Sequence, residues 1–125
     1  LSGAGHELPD SSVRFVEHGL RPAVAAATAW LGGDERPSAV FAGDDILAAG
    51  VLRAADALGL DVPGDLAVAG FDDSELAQAM DLTTVRQPLE ESGRAATELL
   101  LQRMAGATTV REVALRLDLV RRGSS

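Results

Sequence analysis

The sequence predicts an α/β layered fold built on a parallel sheet. Strand-like and helix-like segments alternate along the chain, the order that places helices over a sheet. Two runs, residues 39–42 and 66–71, are continuously apolar, as in strands covered on both faces. Close behind each run stands an acidic pair, Asp44-Asp45 and Asp72-Asp73, followed by helix-forming sequence. In an open α/β sheet ligands collect outside the carboxyl ends of the strands. The two carboxylate pairs therefore mark a polar small-molecule site.

Each element has its own warrant. Residues 1–5 read as the end of a helix that starts upstream, and residues 13–17 as a short strand. Residues 22–31 read as a helix, with Pro22 at the favoured first position, Ala-rich sequence after it and Gly32-Gly33 as the stop. Strand 39–42 leads into a helix capped by Asp44 or Asp45. That helix carries Leu47, Val51, Ala54, Ala55 and Leu58 at helical spacing and ends at Gly59. After strand 66–71, Asp72-Asp73-Ser74 turns into a short helix, with Asp73 available to cap it. Residues 83–86 are β-prone. A long helix opens at Pro88, places Glu90 and Glu91 in its first turn against the dipole, and stops at Gly106. Its stripe is Leu89, Ala96, Leu99, Leu100 and Met104. Residues 110–120 alternate apolar and polar positions, as in a half-exposed edge strand.

Composition narrows the function. At 125 residues the chain makes at most one ordinary domain, and its 46% apolar share suits a globular core. Only 3% of residues are aromatic, so that core is mostly Ala, Leu and Val. A formal charge of −8 repels phosphate backbones, which argues against DNA or RNA binding by this stretch. The lack of cysteine excludes disulfides, zinc-thiolate sites and thiol nucleophiles. No stretch nears the roughly 18 apolar residues that a membrane span needs. Residues 1–5 lack the basic and apolar regions of a signal peptide. With no initiator Met, the chain reads as a fragment. All its basic residues are Arg, while Lys, Asn and Tyr are absent, which points to a GC-rich bacterial genome.

The chemistry-bearing residues favour binding over catalysis. Each acidic pair reads either as a helix cap with its neighbour or as carboxylates that accept hydrogen bonds from vicinal hydroxyls or amines, as in sugars and nucleosides. His6 and His18 read as surface or loop residues. No Ser lies in a G-x-S-x-G elbow, and Ser2-Gly3-Ala4-Gly5 lacks a full phosphate-loop pattern. Two acidic pairs could hold Mg²⁺ as in phosphoacceptor signalling domains, but those use a lysine, and this chain has none. No catalytic residue, metal site or cofactor is expected.

From Pro37 onward three pieces, PSAVFAGDDILAAGVLRAADALGLDVPGDLAVAGFDD, LTTVRQPLEESGRAATELLL and LDLVRRGSS, carry a resemblance. They resemble the lactose-repressor/galactose-repressor family of bacterial transcription regulators. The resemblance implies a three-layer α/β sandwich with a mostly parallel sheet, the C-terminal subdomain of a periplasmic-binding-protein-like effector domain. It spans residues 1–125, and the helix at residues 88–105 is a crossover that would pack on an N-terminal subdomain outside this chain. It also implies ligand contacts at Asp72, Asp44 and Gln87, with Leu20 near an apolar stacking position. Asp44 replaces the family's usual Asn, which removes a donor. The loop at residues 74–81 is shorter than usual and lacks a proline pair.

The function so implied is sensing of a small-molecule effector, a sugar or nucleoside-like compound, by a cytoplasmic regulator. Operator DNA would be bound only through a domain outside this chain, and no membrane is involved. A homodimer is implied, with Leu47, Leu52 and Met80 as candidate contacts. A periplasmic sugar-binding protein of the same fold is the main alternative, and a phosphoacceptor signalling domain a further one.

Overall fold

The computed structural model describes residue 5, residues 8–109 and residues 111–125. Apart from Gly5, the helix end expected at residues 1–5 lies outside the described residues.

Strands β1 (Ala39–Phe41), β2 (Ala67–Asp72) and β3 (Thr83–Arg86) run parallel, and β4 (Asp118–Val120) pairs antiparallel with β3. Their order in the sheet is β1-β2-β3-β4. Helices α1 (Leu20–Leu31), α2 (Asp45–Ala57), α3 (Glu75–Ala79) and α4 (Leu89–Met104) alternate with them, so the predicted α/β architecture with a mostly parallel sheet is present.

Register places Val40 beside Val68, Gly70 beside Thr84 and Thr84 beside Val120, all on one face. That face carries the core. Val40, Leu66, Val68 and Leu82 pack with Ala48, Val51, Ala54 and Ala55 of α2, Ala27 and Leu31 of α1, and Ala77 of α3. Small residues make the close approach possible. A Cβ on Gly50 would overlap the Ala23 Cβ, and one on Gly70 would lie 2.6 Å from Asp45 Oδ1. On the opposite face Phe41 is 65% exposed and Ala69, Phe71 and Val85 are half-buried. The continuous apolar run at residues 39–42 thus predicted cover on both faces, and within the described residues β1 has it on one.

Several boundaries differ from expectation for identifiable reasons. Helix α1 starts at Leu20, because Gly19 takes φ 142° and its carbonyl accepts from Ala23 N at 3.1 Å. Pro22 then falls third, still within the first turn, where a missing N–H costs nothing. Residues 13–17 form no strand: no neighbouring strand edge pairs with them, Phe15 is 98% exposed, and Arg14 instead covers the Trp30 ring at 4.8 Å. The edge strand is Asp118–Val120 rather than residues 110–120. Asp118 already faces Arg86, the last residue of β3, so residues 111–117 run past the strand they would pair with. Residue 110 lies outside the described residues. Helix α4 forms as expected and buries none of its residues; Leu89, Leu100, Leu101 and Met104 are all exposed.

Candidate functional site

Parallel strands end on the same edge, so Asp44 after β1, Asp72 at the end of β2 and Gln87 after β3 are brought together there. Asp44 is the N-cap of α2: its Oδ1 accepts from Leu47 N at 2.7 Å. Its Oδ2 lies 3.2 Å from His18 Nε2. One Asp44 oxygen thus caps the helix, while the other lies beside an exposed imidazole.

Asp45 has a different task. It is 1% exposed and accepts three hydrogen bonds, from Ser74 N and Ser74 Oγ at 2.7 Å each and from Thr84 Oγ1 at 2.6 Å. It joins the start of α2 to β3 and to the turn after β2, with both oxygens engaged by the protein itself.

The second acidic pair divides likewise. Asp72 is exposed, and its Oδ1 accepts from Gln87 Nε2 at 2.5 Å. Asp73 turns inward with a side chain only 5% exposed. Its Oδ2 accepts from Arg86 Nε and its Oδ1 from Arg122 Nη2, each at 2.6 Å. The Arg122 hydrogen bond holds the Asp73 carboxyl below the usual aspartate range, against the opposing effect of burial and with help from Arg86. Asp73 was expected to cap the next helix. Ser74 caps it instead, accepting from Ala77 N at 3.4 Å, because Asp73 is drawn away by its two arginines.

The turn itself is unusual. Asp72 takes φ 118° and Asp73 φ 56°, two successive non-glycine residues in territory that side chains disfavour. The surrounding bonds determine this conformation.

Leu20 opens α1 two residues after His18 and is 37% exposed. Sequence reasoning missed His18, Arg86 and Arg122. Arg122 lies 49 residues from its partner Asp73, and no local pattern signals such a pairing. The edge offers carboxylate acceptors at Asp72 and Asp44 with amide and imidazole donors beside them, a set suited to ligand hydroxyls. A shallow concavity continues from Gln87 along Pro88, Leu89, Glu90, Glu91 and Arg94. Among the described residues no three His, Cys, Asp or Glu gather as a metal-binding group, and no helix is long and apolar enough to cross a membrane.

Comparison with known proteins gives concordant matches. The periplasmic binding protein-like domain family matches residues 4–125. The HTH-type transcriptional regulator MalR of Streptomyces coelicolor is 45% identical over 122 residues, 95% of this chain and 34% of that protein. Among solved structures, the transcriptional regulator CelR in complex with cellobiose superposes with a TM-score of 0.86 at 35% identity, covering 99% of this chain and 39% of the other. A LacI family transcriptional regulator from Arthrobacter sp. FB24 in complex with lactose gives 0.76 at 36% identity, covering 87% and 42%. The chain spans about a third of the length of the first curated relatives it matches.

Proposed function

This chain belongs to the periplasmic binding protein-like domain family, as part of the effector domain found in LacI-type transcription regulators, and we propose that it is one wall of a sugar-sensing cleft. The observation that carries this reading is the outward set at the carboxyl edge of the sheet, where Asp72 is presented by Gln87 and Asp44 by the α2 N-terminus. Carboxylates in such positions accept bidentate hydrogen bonds from vicinal hydroxyls. The cellobiose and lactose complexes of the two structural neighbours support a saccharide as the ligand class. Leu20 would supply an apolar surface for a sugar ring at the rim.

In the full-length regulator, a second subdomain would close the cleft and cover the exposed stripe of α4, and operator DNA would be bound by a separate domain. The module is a binding unit of a cytoplasmic regulator rather than an enzyme, a reading that its regulator relatives support. A homodimer is part of the proposal. Leu47, Leu52 and Met80, offered as contacts, are each half-buried and packed against this chain's own core, so only their outer surfaces could serve.

Calorimetric titration of the full-length protein with a panel of mono- and disaccharides that includes cellobiose and lactose tests the reading. Saturable binding of at least one, weakened in Asp72→Ala, supports it. A folded wild-type protein that binds none overturns it.

A further inference from the structure

The segment Arg122–Ser125 is bound to the sheet by a dense set of hydrogen bonds. Ser124 is buried; its Oγ accepts from Thr83 N at 2.8 Å and donates to Val68 O at 2.7 Å, while its carbonyl accepts from Val68 N at 2.8 Å. Thr83 Oγ1 donates to Arg122 O at 3.1 Å and accepts from Arg122 N at 2.9 Å. Gly123 N donates to Asp81 Oδ2 at 3.1 Å. These bonds anchor the Arg122 backbone to β2 and β3.

From that anchor the Arg122 guanidinium bridges the residue before β3 and the turn after β2. Nη1 donates to Leu82 O at 2.8 Å and Nη2 to Asp73 Oδ1 at 2.6 Å, with the side chain 15% exposed. A planar fork fixed at its base is a rigid strut, which a flexible ammonium could not replace. What it holds is the turn at Asp72 and Asp73, whose positive φ values need external support. Arg86 braces the other Asp73 oxygen from the more exposed side.

We propose that Arg122 is a positioning residue for the effector: through Asp73 it sets the direction in which Asp72 presents its carboxylate, making the Arg122–Ser125 segment a latch on the binding edge. Arg86 is the second brace of the same turn. Neither touches the ligand. This deepens the sugar-sensing reading and rests on it for the affinity arm of the test below.

The test has two arms on the full-length protein, using Arg122→Gln, Arg86→Gln, Asp72→Ala, the two double variants with Asp72→Ala, and exposed Arg121→Gln as the control. Without ligand, amide hydrogen exchange is followed at residues 72–74. The latch requires at least tenfold faster exchange there in Arg122→Gln with α2 core amides unchanged; equal rates overturn it whether or not any sugar binds. With whichever of cellobiose or lactose binds wild type more tightly, Arg122→Gln should lose about tenfold in affinity, and Arg121→Gln nothing. In the Asp72→Ala background the same change should have no further effect, because the residue acts only through Asp72. An equal tenfold loss in both backgrounds means general structural damage and overturns the proposal. If Arg122→Gln does not fold, Arg86→Gln carries the same cycle, with the same results supporting or overturning the latch. Failure of wild type to bind either sugar counts against the saccharide reading and leaves the exchange arm to decide the latch.

Discussion

Asp45 Oδ1 accepts a hydrogen bond from Thr84 Oγ1 at 2.6 Å across 39 residues of sequence, inside the protein. The same carboxylate caps nothing in its own helix and instead accepts from the backbone and hydroxyl of Ser74. One buried side chain thus joins the first turn of α2, the turn after β2 and the middle of β3, the three pieces of backbone that carry Asp44, Asp72 and Gln87. Replacing it with alanine removes the shared acceptor of three donors, Ser74 N, Ser74 Oγ and Thr84 Oγ1. Asp45→Ala should cost about 2 to 4 kcal/mol, read as a lowered urea midpoint with little change in slope.

Asp72 makes the opposite prediction. It is exposed and its hydrogen-bond partner Gln87 can turn to water, so Asp72→Ala should leave stability nearly unchanged. Sugar affinity of the full-length protein should fall by about 1.5 to 3 kcal/mol, roughly tenfold to a hundredfold. Paired denaturation and calorimetry measurements check this. A folded variant with wild-type affinity would reduce Asp72 to a turn former.

Gly50 lies in the middle of α2, where alanine would ordinarily favour the helix by about 1 kcal/mol. Here the added Cβ would overlap the Ala23 Cβ and lie 3.0 Å from the backbone of α1. Overpacking of this kind costs about 1 to 3 kcal/mol, so Gly50→Ala should come out destabilising despite the propensity gain. Thermal or urea denaturation gives the sign.

Asp73 makes stability depend on acidity. Its carboxyl is held below the ordinary value chiefly by the hydrogen bond from Arg122, so the folded state favours the ionised form. The contribution is complete above the unfolded value of about 3.9 and disappears as pH falls through the lower folded value. Urea midpoints from pH 6 down to pH 2.5 should show Asp73→Asn less stable than wild type at pH 6, with the gap narrowing below about pH 4. A constant gap would remove Asp73 from the acid response.

With a formal charge of −8, the chain by itself should not retain DNA even at low salt, where non-specific attraction is strongest. A gel-shift titration in dilute buffer checks this, and a stable complex would contradict the charge argument.

Residues 39–42 and 66–71 announced β1 and β2 because a continuous apolar run is a property of neighbouring residues alone. A cap at Asp44 or Asp45, Gly59 as a stop and the stripe of α4 were legible for the same reason: capping and helical spacing act within one or two turns. The order of parallel strands then carried Asp44, Asp72 and Gln87 to one edge. Other features had no local signature. Asp45 and Asp44 are adjacent and chemically identical, and only the approach of β3 and Ser74 turned one inward and left the other at the surface. Asp73 was a cap by local rules until Arg86 and Arg122 competed for it, and residues 110–120 were a strand by alternation until β3 ended opposite Asp118. Local backbone preference and periodicity are written into short stretches of sequence, whereas partners 29 to 49 residues apart exist only once the sheet has set their distance.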